Sequence, residues 1–163
     1  MKALSLFISL FLLLTGCFYS VRTSLPGHIK SIAIPVFENR TLQSAIENDL
    51  TQVVTDRFRQ DNHLSLAEAR SADAVLEGTI ATYDNKVYRF NNDEQAEEYI
   101  VTMTFNITVK DRVKNKDLWS QEGIRASATY LLGTAQARTE ADARKEIEGQ
   151  IADIILSRTV EGW

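Results

Sequence analysis

One cysteine, two prolines, two histidines and seven glycines in 163 residues exclude several classes of protein at the outset. A lone thiol cannot close an internal disulfide. His28 and His63 sit in or beside predicted turns without His-Glu-x-x-His or other ligand spacing, and the carboxylates form no recognisable cluster, so no metal site is expected. The glycines are isolated rather than grouped. That removes the nucleophile elbow, the dinucleotide fingerprint and the phosphate loop, each of which needs glycines at fixed spacing. With no nucleophile beside a base and no paired carboxylates outside predicted turns, no enzyme and no cofactor is expected. Lysine and arginine (18) are outnumbered by aspartate and glutamate (22), for a formal net charge of −4. This argues against sequence-independent nucleic-acid binding and requires any anionic ligand to find a local basic cluster.

Long apolar runs are scarce too. The one at the start of the chain, Ala3 to Leu14, covers 12 residues behind Lys2, well short of the ~20 a spanning helix needs. It reads as a signal peptide. Leu14-Thr15-Gly16-Cys17 follows directly and resembles the bacterial lipobox, in which cleavage leaves the cysteine first in the mature chain and its thiol takes a diacylglyceryl group. Phe18 stands where an inner-membrane retention signal usually carries aspartate, which points to the outer membrane. The expected organisation is a cleaved signal peptide at 1–16, a lipidated N-terminus and tether at 17–28, and one domain at 29–163. Few prolines and glycines leave little room for further linkers.

Within that domain Ile32, Ile34 and Val36 alternate, a strand signal over Ile29 to Phe37, and Glu38 to Thr41 is expected to turn the chain. Thr41 is a plausible N-cap for a helix from Leu42 to about Gln60, its apolar stripe being Leu42, Ile46, Leu50, Val53, Val54 and Phe58. A short strand surrounds Leu64 and Leu66, and a longer one starts at Asp73 and continues irregularly to Phe90. A hairpin turn is expected at Asn91-Asn92-Asp93. The clearest strand follows: Tyr99, Val101, Met103, Phe105, Ile107 and Val109 on one face, and Thr102, Thr104, Asn106, Thr108 and Lys110 on the other. A turn at Val113 to Lys116 leads to a last strand, Leu118 to Tyr130, with a bulge marked by Gly123. The loop Leu131 to Arg138 then gives way to a capping box, Thr139 with Asp142, and a helix from Glu140 whose stripe is Ala143, Ile147, Ile151, Ile154 and Ile155. The fold class is α+β: a two-layer sandwich with a mixed, mostly antiparallel sheet of four to five strands and two amphipathic helices on one face. The opposite, threonine- and asparagine-rich face has no helix left to cover it.

Cys17-Phe18-Tyr19-Ser20, the run Leu25 to Thr41, Ala72 to Gly78, Glu98 to Met103, Leu118-Trp119 and the terminal helix together resemble the LptE family of lipopolysaccharide-assembly lipoproteins. The resemblance covers nearly all of the mature chain. It implies a lipid-anchored outer-membrane protein that plugs an LptD-like β-barrel, helps it fold and contacts lipopolysaccharide. Ile34 to Thr41 with Ala72 to Gly78 also resembles TolB-like domains and CsgG-like secretion lipoproteins, which implies the alternative of an adaptor for another envelope complex. For lipopolysaccharide contact the candidate residues are Lys86 and Arg89 on one hairpin, and Lys110 and Arg112 on the next. Lys86 and Arg89 stand out because they flank Tyr88 and Phe90, offering charge to phosphates and apolar surface to acyl chains.

Overall fold

The computed structural model describes residues 25–131 and 138–160. The signal peptide, Cys17, most of the tether, the loop expected after Leu131 and Trp163 lie outside the described residues. The chain forms an α+β domain with a mixed, open sheet of six strands and two helices, in the order β1 (Ser31–Ala33), β2 (Glu38–Asn39), α1 (Ile46–Asp61), β3 (Ser65–Leu66), β4 (Ala74–Phe90), β5 (Ala96–Asp111), β6 (Lys116–Leu131) and α2 (Glu140–Val160). The strands run β3-β1-β4-β5-β6 across the sheet, with β2 also paired to β4. Pairs among β1, β2, β3 and β4 are parallel, and β4-β5-β6 is an antiparallel meander.

Six strands stand where four to five were expected, because the predicted strand Ile29 to Phe37 is broken. β1 stops at Ala33, two residues before Pro35, whose nitrogen cannot donate to a ladder. The chain then rejoins the sheet, and Glu38 and Asn39 pair with Thr79 and Ile80 of β4 instead of turning away. The helix start is corrected for a related reason. The Asn39 amide donates to the Gln43 carbonyl (2.7 Å) and to Glu47 (2.8 Å), while its oxygen accepts from the Thr41 backbone (2.9 Å) and hydroxyl (2.8 Å). Wrapped around that side chain, residues 41–45 do not enter the helix. Ala45 takes a left-handed φ of 66° without a side-chain cap, α1 begins at Ile46, and Leu42 is fully exposed. At the other end Asn62 (φ 64°) donates its N–H to the Phe58 carbonyl, a left-handed C-cap.

The meander follows the sequence closely. Val101, Met103, Phe105, Ile107 and Val109 of β5 are buried, and the residues between them are half-exposed. Gly123 (φ 68°) sits where the β5–β6 register slips between Ile107 and Phe105, a bulge. In the β4–β5 turn the Asn91 side-chain oxygen accepts from Asp93 and Gln95, and the residue with positive φ is Glu94 (60°) rather than an asparagine. Thr139 and Asp142 close the capping box reciprocally, Thr139 N to Asp142 Oδ2 at 2.8 Å and Asp142 N to Thr139 Oγ1 at 3.2 Å.

One core collects both helical stripes and the dry side of the sheet: Ile46, Leu50, Val54 and Phe58 from α1, Ala143, Ile147, Ile151 and Ile155 from α2, and the buried row of β5. Phe105 lies edge-on to Phe37, ring centroids 5.2 Å apart, directly over Gly78. A Cβ at position 78 would stand 2.3 Å from Phe105 Cζ and 3.0 Å from the Phe37 ring. Glycine is therefore required by the two aromatics rather than by backbone angle. Gly78→Ala is expected to lower stability by about 1–3 kcal/mol through overpacking, measured by urea melts. A neutral result would show that the Phe105 ring moves freely.

Candidate functional site: the polar sheet face and its two ends

The polar side of the meander is built by the same alternation that builds the core. Opposite partners form rows across three strands: Glu77, Thr108 and Ser120; Thr82, Thr104 and Arg125; Asp84, Thr102 and Ser127. The hydroxyls of Thr108 and Ser120 bond each other at 2.8 Å, and the Asn106 side-chain oxygen accepts the N–H of Gly123 at 2.8 Å, so the bulge is tied to this face. A concavity of about 330 Å³ opens where Pro35 and Val36 pass Thr79, Asn106, Thr108 and Ser120. Short hydroxyl and amide side chains, each able to donate or accept, suit contact with another polar wall or with water. They offer no nucleophile activated by a base. Among the described residues no group of three His, Cys, Asp or Glu side chains could hold a metal ion.

Lys86, Arg89, Lys110 and Arg112 are not brought into one cluster. Lys86 faces Ile100 across the β4–β5 ladder and Lys110 faces Val75, which puts the two pairs near opposite ends of β5, ~30 Å apart at a strand's rise. Lys86 lies 3.5 Å from Asp84, and Arg89 reaches Glu97 (3.5 Å) and Glu98 (3.4 Å). Lys110 bonds Glu77 at 2.6 Å, and that carboxylate holds its pKa above the ordinary lysine value. Arg112 has no carboxylate partner among the described residues, and its backbone N–H donates to the Asp73 carbonyl at 2.8 Å. Beside Lys86 and Arg89, Tyr88 and Phe90 are about 60% exposed. Charge and aromatic surface do share the β4–β5 hairpin end, with acidic neighbours that an anionic ligand has to displace.

Two buried acids lay outside the sequence reading. Asp111 continues the dry-face alternation of β5 by one more step, and its side chain is fully buried. It accepts from Lys114 N (2.8 Å) and meets His28 Nε2 (2.8 Å), so His28 is no free surface histidine but a clasp between the start of the domain and the β5–β6 turn. Burial pushes the Asp111 carboxyl up, and the bonds from Lys114 and His28 outweigh it, holding the group below the usual carboxylate range. Glu148 is the second. It is 4% exposed on α2, with Arg144 at 3.5 Å and no hydrogen bond to its Oε1. Burial drives its pKa up to about 7, nearby Arg144 pulling it down and Asp49 pushing it up. The signal available for both was an acid at a position whose period belongs to the apolar stripe.

Over residues 29–159 the chain matches the family described as LptE, lipopolysaccharide-assembly. It belongs to that family. Compared with curated protein sequences the chain finds no match. Solved structures share its fold: an uncharacterized lipoprotein B from Nitrosomonas europaea (TM-score 0.57, 16% identity, 88% of this chain and 91% of that one), a hypothetical protein from Chlamydia trachomatis (0.56, 13%, 80% and 95%) and a minor lipoprotein from Acinetobacter baumannii (0.53, 17%, 82% and 92%). In this LptE-family chain no described helix is long and apolar enough to cross a membrane.

Proposed function

We propose that this chain is a non-catalytic outer-membrane lipoprotein, anchored through an acylated Cys17, that seats its polar sheet face against the inner wall of an LptD-like β-barrel and assists both barrel assembly and the passage of lipopolysaccharide. The observation that carries the reading is the half-exposed row of Thr102, Thr104, Asn106 and Thr108. Barrel lumens are polar, so a sheet face rich in hydroxyls and amides complements one. Family membership supports the lipopolysaccharide role and weighs for it over an adaptor of a secretion or Tol-type complex. Lys86 with Arg89, and Lys110 with Arg112, are the proposed contacts for lipid phosphates, one pair at each end of the face.

The anchor is tested by mass spectrometry of the mature N-terminus. A diacylglyceryl and acyl mass on Cys17 is expected; a free N-terminus elsewhere excludes it. The function is tested by depletion, which should lower the amounts of correctly assembled barrel and of surface lipopolysaccharide. Normal barrel assembly after depletion would sink the plug reading. Unchanged lipopolysaccharide binding by a folded Lys86→Asp, Arg89→Asp double variant would remove only that contact.

A further inference from the structure

We infer that the outer edge of β6, together with the groove between it and α2, is a docking slot for an extended acidic segment of a partner protein, added as a further strand. β6 ends the strand order and pairs with β5 alone, so along Ile124–Leu131 its outward N–H and C=O groups have no strand partner among the described residues. An unprotected edge usually invites unwanted pairing. Here the bulge at Gly123 shifts the register of β6, and the regular stretch after it, Ile124–Leu131, offers a continuous edge. Directly beside that point lies a groove of about 520 Å³, lined by Gln121, Ile124 and Arg125 of β6 and by Ile154, Ser157 and Arg158 of α2. A free strand edge flanked by a helix-lined groove is the arrangement that captures peptides by strand addition: main-chain hydrogen bonds supply affinity, and alternate side chains enter the groove.

The lining states the chemistry of the occupant. Ile124 is 4% exposed and Ile154 is partly buried against the core, giving an apolar floor for one side chain of an added strand. The ionisable groups of the groove are both arginines. Arg158 donates to the Gln121 side-chain oxygen, and neither Arg125 nor Arg158 has a carboxylate partner among the described residues. Against a protein of net charge −4, this is a local basic site that calls for an apolar residue alternating with aspartate or glutamate. It disfavours a second copy of the chain, since the same stretch of that copy, Ile124–Leu131, carries no carboxylate to meet these arginines. The slot rests on the β6 edge and its groove with α2; Arg125 also stands in the polar-face row of Thr82 and Thr104, so the slot is tested with the isolated lipoprotein, apart from any barrel.

The test uses the full acylated chain in detergent and a fluorescent, acetylated and amidated peptide in which valine alternates with glutamate, followed by anisotropy. Binding is expected, at least about tenfold tighter than for the same peptide with lysine in place of glutamate. It should be lost when alternate peptide amides are N-methylated, and Arg125→Glu, an exposed position, should reverse the glutamate-over-lysine preference. Equal affinity for the acidic and basic peptides, no effect of N-methylation, or no binding at all would overturn the proposal. So would concentration-dependent dimerisation in sedimentation that excludes the peptide, which would assign the edge to a second copy.

Discussion

Phe105→Ala should lower the unfolding free energy by ~3–5 kcal/mol, and Thr104→Ala, one residue away, by well under ~1 kcal/mol. Both follow from the same alternation. The Phe105 ring is wholly buried, touches Phe37 and fills the space left by Gly78, so truncation opens a cavity that glycine and two rigid neighbouring strands cannot close. Thr104 looks out from the polar face and carries no side-chain hydrogen bond to another side chain in the described domain. Denaturant melts of the two variants separate these outcomes. Equal losses would mean that the dry and polar faces of β5 are exchanged.

Glu148→Gln should stabilise the protein by ~2–3 kcal/mol above about pH 8 and have little effect near pH 4. The sign follows from burial. The folded carboxyl has a pKa of about 7 against an ordinary 4.5, so between those values the folded chain holds a proton that the unfolded chain has released. Stability from this group therefore falls as pH rises through that window, and the full penalty is present once Glu148 is ionised in both states. Every charged group facing it enters the balance: Arg144 lowers the pKa, Asp49 on α1 raises it and Lys145 lowers it. The effect is read as the difference between variant and wild type across pH, which cancels the contributions of Asp73, Asp111 and Asp142. Those carboxyls are held low by hydrogen bonds and stabilise the fold at neutral pH in both proteins. A difference independent of pH would show that Glu148 stays solvated.

The meander and the last helix were legible because their determinants are local. A period of two with one wet face fixes register in β5, a threonine three residues before an aspartate caps α2, and Gly123 announces its bulge. Elements set by distant partners were not. A two-residue strand such as β2 has no periodicity to detect, and it exists because β4 offers Thr79 and Ile80 as partners. Leu42 and Thr41 look like stripe and cap, and the Thr41 hydroxyl does accept the Gln43 N–H, but the Asn39 side chain holds residues 41–43 in a turn and α1 starts four residues later, its first N–H groups bonding the Ala45 carbonyl. At the site, sequence identified the basic residues but not their partners: Glu77, Glu97 and Glu98 become neighbours of Lys110 and Arg89 only through strand pairing, whereas Asp84 is Lys86's neighbour two residues back on the same strand. Asp111 and Glu148 escape a sequence reading because charged residues are usually exposed. Each instead occupies a stripe position.

The central claim, that the polar face of β5 lies against the wall of an LptD-like barrel, is tested most directly by placing a photoactivatable phenylalanine analogue at Thr104 of the full lipoprotein in cells and irradiating. A covalent adduct with the outer-membrane barrel is expected, identified by mass spectrometry at a residue facing its lumen. A chain that is stably produced and acylated but yields no barrel adduct from position 104, or yields one with a different envelope protein, would contradict it.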